Sequence, residues 1–306
     1  MLMSFKAKSI EPAVSVLAHH GKSFRFAGRF LNKRHLEGCA RLYRFCRYVD
    51  DLVDEASDVD AAQAELDQLK NNLEVGFSET PLVQDFIDLA TQYQMQSNVI
   101  SELIRGIESD LQPFHISNDT ELLRYCYRVA GTVGLLMCDV LDVCDPRAKT
   151  HAIDLGIGMQ LTNIARDIKE DAEMGRCYVP LEWVGEGLPM SLSNSSKLGK
   201  ELPIESVQRL ISLSKLFYES GRAGLRFLPR RAQRGINVAA AVYEEIGVVI
   251  AKRGFDVYSG RAYVGLPRKI RVAVGAFLFN PCGGPYAPHQ PELHAHLKGL
   301  PYANES

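Results

Sequence analysis

The stretch GMQLTNIARDIKEDAEMGRCYVP, residues 158–180, decides the fold of this chain. Its apolar residues Leu161, Ile164 and Ile168 recur at intervals of three and four, which is the spacing of a buried helix face. A neighbouring stripe carries polar side chains at the same kind of spacing: Gln160, Asn163, Asp167 and Asp171. The stretch therefore predicts an amphipathic helix that keeps carboxylates beside its core-facing side, with Arg166 and Glu170 alongside.

An earlier stretch, LYRFCRYVDDLVDE at residues 42–55, repeats this arrangement. Its apolar stripe is formed by Leu42, Phe45, Val49 and Leu52, and its polar stripe by Tyr43, Arg47, Asp50 and Asp54. Two acids at i and i+4 repel each other on an isolated helix, so they need a compensating positive charge. Arg47 in a structural ion pair is one way to supply it, and a bound cation is another.

The rest of the chain indicates an all-α protein, because helical spacing is abundant and no convincing series of alternating strands is found. Prolines mark most of the breaks. We expect helices at roughly 9–20, 34–56, 60–76, 81–94, 97–111, 119–143, 147–174, 204–226, 235–258 and 267–279. We therefore expect one helical domain over 1–280, followed by a poorly ordered polar tail over 281–306. The tail histidines, His289, His294 and His296, either bind a metal ion or belong to a mobile surface.

Composition excludes some classes of function. Among 306 residues, 35 Lys and Arg face 37 Asp and Glu, so no general attraction to nucleic acid is expected. Seven cysteines without a CxxC pair favour free thiols and a cytoplasmic protein. No stretch reaches the ~18 apolar residues of a membrane helix. Residues 267–279 come nearest, as a buried core helix or as a surface that contacts the inner face of a membrane.

The chemistry of the two polar stripes suggests a hard cation. Carboxylates and an amide, with no clustered His or Cys, are ligands that suit Mg²⁺, which also keeps waters and substrate phosphates. Two such helices facing one cavity could hold several Mg²⁺ ions, and Arg47 and Arg166 could help them to bind a diphosphate. The alternative is that both stripes are solvated helix faces.

These stretches resemble the squalene/phytoene synthases, most closely the bacterial phytoene synthases, over roughly residues 14–275. The resemblance is carried by SFRFAGRFL, LYRFCRYVDDLVDE, YCYRVAGTVGLLM, RAYVGLP and above all by the stretch at 158–180, with its QLxNIxRDxxED core followed by GRxYxP. It implies a single-domain isoprenoid synthase fold with helices around a deep central apolar cavity. It also implies an enzyme that condenses two prenyl diphosphates head to head.

The resemblance also assigns roles to residues. It implies a Mg²⁺ set, with Mn²⁺ as an alternative ion, made of Asp50, Asp54, Asn163, Asp167 and Asp171. The four aspartates and Tyr127, near the reacting carbons, form the implied catalytic set. Contacts with the diphosphate or prenyl groups are implied for His20, Gly21, Lys22, Ser23, Tyr43, Arg47, Gln160, Arg166 and Tyr243. Phe24 is an aromatic candidate for the prenyl tunnel, although most aromatics at helical spacing are core residues.

The implied activity is condensation of two geranylgeranyl diphosphates to phytoene, through a cyclopropylcarbinyl (prephytoene) diphosphate and with release of diphosphate. No NADPH is expected, and Leu135 stands where squalene-type members commonly carry a Glu. A C15-using dehydrosqualene or squalene synthase is the first alternative. A non-catalytic helical member of the family that acts through protein contacts is the second.

Overall fold

The computed structural model describes residues 30–56, 58–112, 114–184, 202–278 and 285–303. Most of these residues are helical, which confirms the predicted all-α class. The α-helices are α1 (Lys33–Asp54), α2 (Val59–Val75), α3 (Pro81–Gln92), α4 (Ser97–Glu108), α5 (Asp119–Cys126), α6 (Thr132–Val140), α7 (Arg147–Glu173), α8 (Ile204–Ala223), α9 (Arg230–Lys252) and α10 (Leu266–Leu278).

Shorter elements connect these helices. A π-helical turn, Tyr127–Gly131, joins α5 to α6, and strands β1 (Phe114–His115) and β2 (Arg176–Cys177) pair in parallel. In that pair Phe114 lies opposite Arg176. Short 3₁₀ helices lie at Ser109–Leu111, Leu181–Trp183, Gly224–Phe227 and Pro291–Leu297.

The predicted helix boundaries differ from the structure in two instructive places. The helix expected at 119–143 is interrupted by the π turn, which changes the phase of its side chains. The helix expected at 235–258 begins at Arg230, directly after Pro229, and ends at Lys252, shortly before Gly254 with a φ of 66°. The helix predicted at 9–20 lies outside the described residues.

Helix α7 organises the core. It packs against α6, α8 and α9, so its apolar face is covered on several sides. The largest cluster of buried apolar side chains extends from Cys39 in α1 to Ala303 near the end of the chain. Within it, the Phe45 and Phe86 rings stack with centroids 3.5 Å apart. The polar stripes of α1 and α7 are therefore anchored by apolar faces embedded in one continuous core.

Two glycines allow the α5–α6 segment to approach α7 closely. A Cβ atom placed on Gly134 would lie 2.2 Å from the Ala152 carbonyl oxygen, and one on Gly156 would lie 2.3 Å from the Ala130 carbonyl oxygen. Both obstacles are backbone atoms, which cannot rotate away. The close approach of the two segments is therefore a contact between their backbones.

Replacing Gly134 by Ala is expected to destabilise the protein by about 1–3 kcal/mol, because the helices must separate to admit the methyl group. Urea denaturation followed by circular dichroism would measure the loss. Gly265→Ala is the matched control, since a Cβ atom there meets no heavy atom within 4 Å. Equal stabilities of the two variants would contradict the packing account.

The segment 285–303 differs from the poorly ordered tail that we expected over 281–306. His294, Leu297, Leu300 and Ala303 are buried, and the Pro301 carbonyl accepts a 2.6 Å hydrogen bond from the Tyr127 hydroxyl. The composition of this segment gives no sign of its burial, because a few spaced apolar residues suffice when they pack against the rest of the core.

Helix α10 corresponds to the predicted helix at 267–279, for which a core position and a lipid-facing position were both open. It buries Ala273 on one side, while Leu266, Ile270, Val274 and Leu278 are exposed at intervals of four. Across the described ranges, no helix has the length and apolar character required to cross a bilayer.

Candidate active site

The polar stripes of α1 and α7 line one pocket of about 430 Å³. The two stretches are far apart in sequence, and the fold brings their side chains together. The predicted residues that line it are Arg47, Asp50, Asp54, Gln160, Asn163, Arg166, Asp167 and Asp171. Four aliphatic side chains, Val53, Ile107, Val129 and Ile164, line the same pocket, so charged and apolar surfaces adjoin there.

Negative charge exceeds positive charge in this pocket, which is lined by six carboxylates and four guanidinium groups. Burial, followed by repulsion from Asp54, raises the pKa of Asp50 to about 7. Burial, followed by repulsion from Asp167, raises the pKa of Asp171 to about 8. These carboxyls lack sufficient positive charge from the protein, and a bound cation would favour their ionised forms.

The arginines divide the acids into paired and unpaired groups. Arg47 forms its ion pair with Asp51 (2.5 Å) rather than with Asp50 or Asp54. Asp54 is paired with Arg176 at 2.7 Å. Within the described part of the chain, Asp50 and Asp171 make no ion pair, so they are the carboxylates most open to a cation.

Asp167 is held from two directions. The Arg166 Nε donates to its Oδ1 at 2.7 Å, and the Arg261 Nε lies 2.8 Å from the same oxygen. Arg261 belongs to the loop between α9 and α10 and is largely exposed, whereas Arg166 is mostly covered. Asp167 therefore shares its charge with two guanidinium groups from separate segments.

The side-chain oxygen of Asn163 accepts no hydrogen bond from any described residue. Its Nδ2 donates to Gln160 Oε1 at 3.2 Å, which fixes the amide. Its Oδ1 is buried and has no hydrogen-bond partner among the described residues. A buried acceptor without a partner is costly unless a ligand satisfies it. This oxygen, beside unpaired carboxylates, fits a set of donors for a hard cation.

Sequence reasoning missed a group of pocket residues centred on Asp110. Its carboxylate accepts hydrogen bonds from the Tyr125 hydroxyl at 2.9 Å and the Tyr178 hydroxyl at 2.8 Å, and Arg176 donates to its backbone oxygen at 2.9 Å. Burial raises the pKa of Asp110 to about 6 although these partners oppose the shift. Arg176 and Tyr178 stand in the GRCYVP stretch and could have been chosen, but Asp110 has no comparable signal in the sequence.

Local backbone structure explains how Arg176 reaches the pocket. Helix α7 ends at Glu173, and Gly175 adopts a left-handed conformation with a φ of 79°. Glycine adopts this conformation without strain, so the chain reverses directly after the helix. Strand β2 then pairs with β1, which follows Asp110 in the chain, and this pairing holds Arg176 near Asp54 and Asp110.

The other predicted residues divide into three groups. Tyr43 and Tyr243 lie beside the pocket residues: the charges of Arg47 and Asp50 act on Tyr43, and Tyr243 is hydrogen-bonded to Arg166. Tyr127 does not line the pocket, because it is fully buried with its hydroxyl on Pro301, and Tyr125 lines it instead. The position of Tyr127 near the reacting carbons stays a prediction. His20, Gly21, Lys22, Ser23 and Phe24 lie outside the described residues.

Comparison with known proteins adds an independent line of evidence. The family model described as squalene/phytoene synthase matches residues 17–268. The chain is 32% identical over 268 residues to the 15-cis-phytoene synthase of Enterobacter agglomerans, covering 83% of this chain and 90% of the relative. It is 30% identical over 279 residues to the phytoene synthase of Pseudescherichia vulneris, covering 87% and 90%.

A solved structure supports the architecture. A dehydrosqualene synthase crystallised with a ligand superposes with a TM-score of 0.74 at 26% identity, covering 86% of this chain and 93% of that one. The described helices therefore have the isoprenoid synthase fold.

Proposed function

The chain belongs to the squalene/phytoene synthase family, and from this premise we propose that it condenses two geranylgeranyl diphosphates to phytoene in carotenoid biosynthesis. The observation that carries the proposal is the pocket in which the acidic stripes of α1 and α7 meet four arginines and an aliphatic wall. A prenyl diphosphate has a multiply charged anionic head, which the arginines together with bound cations could hold, and a long apolar chain, which suits the aliphatic wall.

The donor set of the pocket fits Mg²⁺. The residues that would hold it are the predicted set: Asp50, Asp54, Asn163, Asp167 and Asp171. Two of these acids have raised pKa values and no ion pair with a described residue, and the amide oxygen of Asn163 has no partner. When bound, the ions supply positive charge that neutralises the diphosphate as it leaves.

The protein's own side chains bind and orient the substrates in this proposal. Arg47, Arg166, Arg176 and Arg261 line the pocket and present guanidinium donors to diphosphate oxygens. The aliphatic wall lies against the prenyl chains and excludes water, which would otherwise capture a carbocation. The Tyr125 ring, stacked on Tyr178 with centroids 4.6 Å apart, offers a π face to passing positive charge.

The proposed reaction needs no reductant. The allylic C–O bond of one substrate breaks, and the electron pair leaves with diphosphate. The double bond of the second substrate attacks the cation, and loss of a proton closes the cyclopropane ring of prephytoene diphosphate. Loss of the second diphosphate, rearrangement and loss of another proton then give phytoene.

A C15-using synthase is the second candidate, since the similar solved structure is that of a dehydrosqualene synthase. We expect the purified protein with Mg²⁺ to convert geranylgeranyl diphosphate to phytoene, unaffected by NADPH. Farnesyl diphosphate is expected to react more slowly, because a shorter chain loses apolar contact worth about 0.8 kcal/mol per methylene. Gas chromatography with mass spectrometry would identify the hydrocarbons.

Reactions without enzyme and with the Asp50→Asn variant provide the blanks for this assay. Squalene formed only with NADPH, or a clear preference for the C15 substrate, would reject phytoene synthesis while retaining the family's chemistry. A properly folded protein that is inactive on both substrates would favour the non-catalytic alternative.

The proposed location is the cytoplasmic face of a membrane, into which a C40 hydrocarbon partitions. The cysteines in the described residues are free thiols, as is usual in a reducing compartment. Helix α10 offers the contact, because its exposed apolar stripe adjoins the exposed, basic Arg271. Such a helix lies in the interface of an anionic bilayer rather than crossing it.

Replacing Ile270 by Glu is expected to reduce binding to vesicles of anionic phospholipid, because it places a negative charge within the apolar stripe of α10. Sedimentation with sucrose-loaded vesicles would measure the bound fraction. Val75→Glu, at an exposed apolar residue of α2, is the control and should bind like the unaltered protein. Equal loss of binding in both variants would remove the role of α10.

A further inference from the structure

A second group of metal-ligating side chains lies outside the acidic pocket. Asp154 of α7 is fully buried, and two histidines of the segment 285–303 face its carboxylate. His294 Nε2 lies 2.7 Å from Oδ1, and His289 Nε2 lies 3.0 Å from Oδ2. One potential ligand atom from each residue falls within 4.8 Å of the others.

The hydrogen-bond partners of His294 show that this cluster must contain an additional proton or a metal cation. His294 Nδ1 lies 2.9 Å from the Ala303 carbonyl oxygen, which only accepts, so Nδ1 carries a proton. In a neutral ring Nε2 then has a lone pair, and that lone pair would face a carboxylate oxygen 2.7 Å away. The contact is favourable only if a proton lies between the two atoms or a metal cation binds both of them.

His289 distinguishes these two possibilities. Its Nε2 is buried and 3.0 Å from Asp154 Oδ2, yet it makes no hydrogen bond of acceptable geometry. That carboxylate oxygen already accepts a hydrogen bond from the Ser220 hydroxyl. Protonation of His294 explains one contact and leaves the buried Nε2 of His289 without a hydrogen bond. A shared cation explains both nitrogens, since each would direct its lone pair at the ion rather than at the carboxylate.

We propose that Asp154, His289 and His294 bind a divalent transition-metal ion of the zinc class, which tethers the segment 285–303 to α7. Two imidazole nitrogens and one carboxylate are ligands typical of Zn²⁺. The hydrogen bond from His294 Nδ1 to a carbonyl is the partner that a metal-bound histidine usually has. A fourth position is left to water, because both ring nitrogens of His151, the neighbouring histidine, already contact Ser220 and Tyr286.

This site is separate from the pocket that holds the acids. Asp154 and Asp167 share α7 but are thirteen residues apart, or about 20 Å along the helix axis at 1.5 Å per residue. The ligand chemistry also differs, because nitrogen donors favour Zn²⁺ over Mg²⁺, whereas the oxygen donors of the pocket favour Mg²⁺. Excess Mg²⁺ should therefore displace zinc from the acidic pocket but not from Asp154, His289 and His294.

Metal analysis of the full chain tests the proposal. Protein incubated with zinc sulfate and then dialysed against millimolar Mg²⁺ is expected to retain one zinc per chain by mass spectrometry of the dissolved metal. Cobalt in place of zinc should give the intense visible absorption of a four-coordinate ion with nitrogen ligands. No stoichiometric zinc in the unaltered protein, or zinc that Mg²⁺ removes, would overturn the site.

Variants locate the ion. His289→Ala is expected to lose the retained zinc, whereas His296→Ala should keep it, because the His296 ring contacts Thr120 and lies outside the cluster. The thermal midpoint of the unaltered protein should rise with zinc, and that of His289→Ala should not. Retention of zinc by a folded His289→Ala variant equal to that of His296→Ala would place the metal elsewhere and reject the assignment.

Discussion

Replacing Asp50 or Asp167 by Asn is expected to lower the turnover of prenyl diphosphate by roughly a thousandfold or more, about 4 kcal/mol of transition-state stabilisation. Each substitution removes a charge from the pocket in which we propose that Mg²⁺ binds, while the side chain keeps nearly the same shape. Release of diphosphate from labelled substrate would give kcat and KM, and titration with Mg²⁺ should show weaker activation.

The controls for this experiment are Glu37→Gln on α1 and Glu173→Gln on α7. Both side chains are exposed and lie outside the pocket, so each control makes the same change of charge on the same helix. Circular dichroism should show unchanged helix content in all four variants. Near-normal turnover in both Asp50→Asn and Asp167→Asn would refute the proposed metal site.

Replacing Arg176 by Gln is expected to lower kcat/KM by about 10²-fold to 10³-fold, the usual loss when one charge-assisted donor is removed from a reacting centre. The substitution breaks the 2.7 Å ion pair with Asp54 and removes a guanidinium group from the pocket. Steady-state kinetics with geranylgeranyl diphosphate would measure the change.

Arg209→Gln provides the comparison, because Arg209 is half-exposed, pairs with Asp119 and does not line the pocket. A large loss in Arg176→Gln with little loss in Arg209→Gln is the expected contrast. If Arg176→Gln keeps full kcat/KM, then Arg176 has no role with the diphosphate and serves only to hold β2.

The helices and the composition of the two polar stripes could be predicted because they depend on short-range order. A helix repeats every 3.6 residues, so the spacing of Leu161, Ile164 and Ile168 already indicates which side of α7 is buried. The carboxylates of the neighbouring stripe follow from the same geometry. The prolines at the starts of α3 and α7, Pro81 and Pro146, act locally in the same way, which is why both helices begin at the predicted residue.

The partners of each charge could not be predicted in the same way. In the sequence Arg47 is one candidate partner for Asp50 and Asp54, yet in the structure it pairs with Asp51. The side chain that pairs with Asp54 is Arg176, which enters from a strand after α7. Ion pairs depend on distances between atoms of separate elements, and no periodic pattern within one element contains those distances. Asp110 was missed for the same reason. In the sequence it is a single acid near the end of a helix, and only the fold brings two tyrosine hydroxyls into contact with it.

The amino-acid sequence alone determined the helical class, the family and the two oxygen-rich helix faces, because these depend on residue type and spacing along the chain. Only the tertiary structure decided that both faces line one pocket, which acids lack a cation there, and that His289 and His294 meet Asp154. The physical reason is that charge and coordination act through space over a few ångströms, and chain folding alone sets which residues come within that range.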